Sequence, residues 1–170
     1  MSTDKKYSLA PIIGVNAKVL ILGSMPGEVS LRTQQYYHNR RNHFWKIIFT
    51  ILNEQFTEDY ETRKAIVKKH KIALWDVIKE CERVGSLDSK IKNEIPNDFE
   101  NLLSKHPTIK LIVLNGTKAY NVFKKYAANK VNPKIEIVKL PSTSPTPGKN
   151  VKSYEEKLRD WSIIKTYLND

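Results

Sequence analysis

AKVLIL, residues Ala17–Leu22, is an unbroken apolar run that gives way at once to GSMPG, Gly23–Gly27. A half-buried strand alternates apolar and polar residues. A continuous run of this length reads instead as a strand buried on both faces, as in a parallel sheet covered by helices. Outward from it, IALWDVI (Ile72–Ile78) reads as a short strand running into a loop, and IKLIVLNG (Ile109–Gly116) as another buried strand that Gly116 ends in a turn. IEIVKLP (Ile135–Pro141) alternates, with Ile135, Ile137 and Leu140 as its apolar positions. Between these lie segments with helical spacing: HFWKIIFTILN (His43–Asn53), YETRKAIVKKH (Tyr60–His70), NDFENLLSKH (Asn97–His106) and TKAYNVFKKYA (Thr117–Ala127). A last helix, SYEEKLRDWSIIKTYL, covers Ser153–Leu168. Asn97 suits an N-cap after Pro96, and Ser153 with Glu156 forms a capping box. Four strands alternating with helices imply parallel pairing and a three-layer α/β fold. A chain of 170 residues makes one domain, 1–170, with no internal repeat.

Composition excludes several classes. No apolar run approaches the roughly 20 residues of a membrane span, and the opening MSTDKKYSLAPIIG lacks a signal-peptide core. Cys81 is the single cysteine, which excludes an internal disulfide framework and a multi-cysteine metal site. The expected location is cytoplasmic and nucleoid-associated, or nuclear in a eukaryote. The net charge of +11 is unevenly spread. Lys110–Lys152 holds nine lysines against one acid, Glu136, and Arg32–Lys46 holds four basic residues and no acid. These two windows carry +12 between them, so the remainder nearly cancels. Two basic segments on a balanced chain suggest a polyanionic partner; a solvated lysine surface is the alternative that charge alone leaves open.

Ligands of open parallel sheets bind at the carboxyl ends of the strands. Those ends carry GSMPG, WDVI, NGTK and PSTSPTP, so the loop from Gly23 to Trp45 and the Ser/Pro loop after Leu140 should share one edge. Three chemistries could occupy that edge. Gly23–Gly27 matches neither glycine-rich phosphate motif, and Pro26 removes an amide donor. Of the histidines, His38, His43, His70 and His106, only the first two are near one another, and no metal-ligand spacing occurs. Asp76, past a strand end, is a candidate base, with capping or pairing to a cation as its plainer role. The third chemistry is a pocket for an everted nucleobase, which needs an aromatic wall, amide groups to read a polar edge and positive charge for phosphates. The first loop supplies Tyr36, Tyr37, Asn39 and Asn42, framed by Arg32, Arg40 and Arg41. Each also has a structural reading: Tyr36 and Tyr37 as packing, Asn42 as a cap, Ser142–Pro145 as a turn.

The combination LILGSMPG…S…QQYY…RN-x-FW resembles the uracil-DNA glycosylase superfamily, most closely its hypoxanthine-DNA (deoxyinosine) glycosylase branch, often called family 6. The segments Ile72–Ile109, Leu140–Pro145 and Ser153–Trp161 resemble that branch too, so the likeness runs through nearly the whole chain in order. It implies an α/β/α sandwich on a four-stranded parallel sheet. It also implies excision of a deaminated base, hypoxanthine with uracil or xanthine as alternatives, from double-stranded DNA by a monomeric, monofunctional glycosylase without metal or cofactor.

The resemblance further implies roles. Mismatch-specific relatives carry an Asn that orients water where this chain has Met25, and the hypoxanthine branch relies instead on the position of Asn42, the implied catalytic residue. Tyr37 matches the aromatic that stacks on the everted base, with Ser24, Met25 and Ser144 completing the base-binding set. Ser142, Thr143 and Pro145 match the phosphate grip, and Arg41 and Lys149 are the basic DNA contacts. Two departures stand out: Asn39-Arg40 replaces the usual His-Pro, and TPGKN (Thr146–Asn150) replaces an Ala-rich run. These departures and Met25 leave a catalytically weak, damage-sensing module, or a uracil-selective enzyme, as the alternatives.

Overall fold

The computed structural model describes residues 4–145 and 151–169. In chain order, β1 (Lys5–Tyr7) and β2 (Val19–Gly23) precede α1 (Glu28–Thr33), α2 (Phe44–Ile51) and α3 (Tyr60–Lys69). Next come β3 (Ile72–Asp76), β4 (Ile78–Glu82), β5 (Lys92–Pro96) and α4 (Phe99–Lys105). The chain closes with β6 (Leu111–Asn115), α5 (Thr117–Tyr126), β7 (Glu136–Leu140), α6 (Tyr154–Trp161) and α7 (Ile164–Leu168). The central sheet has the order β3-β2-β6-β7, and every neighbouring pair is parallel.

The run Val19–Leu22 is fully buried, as its composition requires. Successive side chains point to opposite faces of a sheet. Val19 and Ile21 accordingly join Phe44, Ile48, Val67 and Trp161 in one core, and Leu20 and Leu22 join Phe99, Val122 and Phe123 in the other. These are the two helix–sheet interfaces of a three-layer sandwich. Pairing of Gly23 with Asp76, and of Asn115 with Leu140, brings four strand ends to one edge. No helix among the described residues is long and apolar enough to cross a membrane.

Several details differ from the reading of the sequence. A second, antiparallel sheet of order β1-β4-β5 flanks the first. Its strands are rich in Lys and Glu, and only Ile78 and Cys81 are buried, so they lack the apolar run used to find strands. IALWDVI is two strands, β3 and β4, separated at Val77. The loop after β2 contains the short helix α1. Asp98, not Asn97, caps α4 by accepting from the Asn101 amide; Asn97 instead donates Nδ2 to the Asp76 carbonyl at 2.8 Å. The last helix breaks after Trp161, where the Ser162 hydroxyl donates to the Leu158 carbonyl at 2.7 Å. The Ser153–Glu156 capping box is present. Ile137, on the edge strand β7, is exposed.

Ile21→Ala empties a site closed by both neighbouring strands and by α2. It should lower unfolding free energy by about 2–5 kcal/mol, read as a shift in urea midpoint at unchanged slope.

Candidate nucleobase site

The strand ends of the central sheet open onto a cavity of about 720 Å³. Its walls come from the turn after β2, the end of β3, the end of β6 and the loop after β7. Tyr37, Asn42 and Ser144, drawn from two distant parts of the chain, all line it.

The two tyrosines divide their work. Tyr36 is 3% exposed; its hydroxyl donates to the Ala10 carbonyl at 2.8 Å, and its own carbonyl accepts from Trp45 Nε1. It is packing. Tyr37 lines the cavity with φ of 52°, the left-handed region that a bulky residue seldom adopts. Its ring is stacked on Phe44 at 3.9 Å between centroids, and its hydroxyl accepts from Asn115 Nδ2 at 3.4 Å. Burial, with the Asp76 carboxylate adding to it, holds the phenol well above its ordinary pKa, so Tyr37 stays protonated. A Cβ on Gly23 would stand 2.7 Å from Asp76 Oδ1 and 3.0 Å from the Tyr37 hydroxyl. Only glycine there lets both groups approach the strand end.

Asn42 closes a turn: its amide donates to the Asn39 carbonyl, and its Oδ1 accepts from the Phe44 amide at 2.9 Å. The capping role is therefore real. Because only the oxygen can accept that bond, Nδ2 is the donor that Asn42 can offer to a guest.

The loop after β7 is held from below. Thr143 is 1% exposed: its amide donates to Asn115 Oδ1 at 3.0 Å, its hydroxyl accepts from Asn115 Nδ2 at 3.1 Å, and its carbonyl accepts from the His43 amide. Thr143 also lines the cavity, and because its hydroxyl only accepts here, the hydroxyl hydrogen is what it can offer to DNA. The Ser142 hydroxyl accepts from the Ser144 amide at 3.1 Å, and Trp161 Nε1 donates to the Pro141 carbonyl. Ser142, Thr143, Ser144 and Pro145 all lie on the cavity wall.

The turn after β2 has its own supports. The Ser24 hydroxyl donates to Asp88 Oδ1 at 2.7 Å. Buried Arg83 donates to the Pro26 carbonyl. Met25 belongs to the core cluster with Val77, Ile78 and Phe99 and also lines the cavity. Arg41 lies on an exposed turn outside the cavity walls, and Lys149 is outside the described residues.

Reading the sequence missed two contributors and undervalued a third. Asn115 ends the LIVLN strand, and its position at a carboxyl edge was the available signal. Lys157 is 3% exposed, lines the cavity and donates to the Ser144 carbonyl at 3.4 Å. Its signal was a charge on the apolar stripe of a helix. Asp76 is 3% exposed, and its Oδ2 is buried with no hydrogen-bond partner. Burial raises its pKa from 3.8 to about 7, against the pull of Arg83 and with the help of Asp88. This carboxyl, an acceptor when ionised and a donor when protonated, is spare hydrogen-bonding capacity beside an aromatic wall and an amide, and in its ionised form suits a planar guest with an N–H on its polar edge.

The comparisons point to one family. The model of the Uracil DNA glycosylase superfamily matches residues 11–165. A hypoxanthine DNA glycosylase of Methanosarcina barkeri is 42% identical over 116 residues, covering 68% of this chain and 73% of that protein. Its namesake from Methanosarcina acetivorans is 41% identical over 115 residues, covering 67% and 73%. A solution NMR structure from Methanosarcina acetivorans, assigned as a uracil DNA glycosylase, superposes with a TM-score of 0.82 at 33% identity, covering 98% of this chain and 99% of that one.

The raised pKa of Asp76 has a consequence for stability. Between pH about 4 and about 7 the folded protein keeps a proton that the unfolded chain has released. This contribution is complete below that window and is lost as pH rises through it. Asp76→Asn should flatten the fall in melting temperature across the window, measured by calorimetry in matched buffers.

Proposed function

This chain belongs to the uracil DNA glycosylase superfamily, and from that membership we propose that it is a monofunctional DNA glycosylase that removes hypoxanthine, and other deaminated bases less readily, from double-stranded DNA. The observation that carries the reading is the shared cavity: Tyr37, Asn42, Asp76 and Ser144 converge at the strand ends where the family's sheet takes its ligand.

Deamination of adenine and of cytosine changes the same feature. Ring N1 of adenine and N3 of cytosine are acceptors; in hypoxanthine and uracil the same atoms carry hydrogen and donate. Asp76 Oδ2, an acceptor lacking a donor, is suited to that change when ionised. The nucleotide leaves the stack at a cost of a few kcal/mol, least for a mismatched base. The base enters beside Tyr37, whose ring is braced by Phe44. Asn42 Nδ2 and the backbone amides at Ser24 and Met25 donate to the charge that grows on the base as the N-glycosidic bond lengthens. A donor placed where charge develops contributes roughly 3 kcal/mol. The base departs with the bonding electrons, water adds to the resulting oxocarbenium-like sugar at C1′, the proton that water gives up ends on the base anion, and an abasic site remains. Ser142, Thr143, Ser144 and Pro145 grip the adjoining phosphate, while Arg41 and Lys149 contribute sequence-independent attraction that salt weakens. The described lining of the cavity comes from a single chain, which supports action as a monomer, and a DNA substrate supports association with the chromosome.

The core placement of Met25 favours a second reading, a damage sensor that binds without cutting, because no side chain at that position can orient water. Duplexes containing inosine, uracil or xanthine, treated with alkali after incubation, separate the two. The enzyme reading expects strand cleavage, fastest at inosine. It also expects Asn42→Ala to lower the inosine rate by at least about 100-fold with duplex affinity nearly unchanged. Binding to each duplex without any cleavage favours the sensor, and a variant that cuts like the parent removes Asn42 from its role.

A further inference from the structure

Helix α6 carries a charge where its pattern calls for an apolar residue. Tyr154, Lys157, Leu158 and Trp161 follow the i, i+3, i+4, i+7 spacing of a core-facing stripe. Three of them join the core. Lys157 is buried with them, at 3% exposure, yet its ammonium group reaches the Ser144 carbonyl at 3.4 Å, and the residue lines the cavity.

An ammonium has three N–H donors, so one long bond leaves two to be satisfied. Among the described residues no ion pair joins Lys157 to a carboxylate. Its neighbour Lys152 is the contrast, bonded to Asp160 at 2.6 Å. The Glu155 carboxylate acts on the neighbouring His43 and forms no ion pair with Lys157 among the described residues. Burial first, and then Lys157 and Lys46, disfavour protonation of His43 against the pull of Glu155, and its buried Nδ1 also lacks a partner. Burying a cation without a counter-ion is costly. Helix packing would gain from an apolar residue at this position, so the charge answers to something outside the folded chain.

We propose that Lys157 is an anion-binding residue of this cavity, pairing with negative charge that the DNA substrate brings between Ser144 and the start of α2. The inference rests on the glycosylase reading. The anion has two possible sources: the phosphate beside the everted nucleotide, seated on the Ser142–Ser144 turn, or the departing base. The phosphate carries its charge from first contact to product, whereas the base acquires charge only as the bond breaks. The first therefore acts on binding and the second on the chemical step.

The test uses Lys157→Gln, which can still donate to the Ser144 carbonyl but has no charge, Lys157→Arg, which keeps the charge, and Lys157→Met, which suits the stripe. Single-turnover excision of inosine is measured across protein concentrations, alongside affinity for a duplex with a tetrahydrofuran abasic analogue. Gln and Met should each lower kcat/KM by at least about tenfold with melting temperatures equal to or above the parent's, and Arg should restore much of the loss. Weaker binding to the abasic analogue, with a salt slope smaller by about one, assigns the phosphate; loss confined to kcat assigns the base. Gln and Met variants that cleave within about twofold of the parent overturn the proposal. So does a loss that follows melting temperature and is not rescued by Arg, since that marks a purely structural role. If the parent cuts none of the three damaged bases, the glycosylase reading fails by itself. Affinity for the abasic analogue then decides Lys157, and equal affinities and salt slopes for parent and Gln overturn it.

Discussion

The paired hydrogen bonds between Asn115 and Thr143 are the constraint on which the site depends. A parallel sheet fixes where its strands end, but the loops beyond those ends have no ladder to hold them. Here the amide side chain at the end of β6 accepts from the backbone of the neighbouring loop and donates to its hydroxyl, at 3.0 and 3.1 Å. Thr143 then passes the restraint on, because its carbonyl receives the His43 amide at the start of α2. Asn115 also donates to the Tyr37 hydroxyl. One buried side chain thus ties the last strand's loop to the first strand's loop. Gly116, at φ of 94°, belongs to the same arrangement: a Cβ there would lie 2.9 Å from Ser142 Cβ.

Around that clamp the polar groups fall into two sets. One set is satisfied inside the protein and gives shape: the Thr143 backbone, Ser24 with Asp88, Arg83 with the Pro26 carbonyl, and Tyr36. The other set has capacity to spare at the cavity: Asp76 Oδ2, the Asn42 amino group and the Lys157 ammonium. Unused hydrogen-bonding capacity in a buried place lowers stability, and a fold keeps it where a ligand completes it. An acceptor, a neutral donor and a cation beside an aromatic ring together complement a nucleotide better than a small apolar ligand.

The central sheet was legible in the sequence because burial on both faces leaves an unmistakable composition in Val19–Leu22 and Leu111–Leu114. The small second sheet was not, because its charged strands, buried only at Ile78 and Cys81, are held by hydrogen bonds to one another and carry little apolar pattern. At the site, Tyr37 and Asn42 were readable through the motif that contains them. The division of labour within a motif was not. Nothing in PSTSP separates Thr143, which Asn115 holds, from Ser142 and Ser144 on either side of it, because the partner that claims it is 28 residues away in sequence. Asp76 was noticed but undervalued, since its isolation from any donor is a property of the folded environment. Lys157 is hidden in a segment whose pattern reads only as a well-capped helix.

The claim at the centre of this account is that the base leaves the duplex and lodges between the loops that Asn115 binds together. A crystal structure with a duplex bearing 2′-fluoro-deoxyinosine, whose N-glycosidic bond resists cleavage, addresses it directly. The account predicts the hypoxanthine ring inside the cavity against Tyr37, its N1–H toward Asp76, and the adjoining phosphate on the Ser142–Ser144 turn. A complex in which the inosine stays stacked in the helix while the cavity remains closed to it would contradict the account.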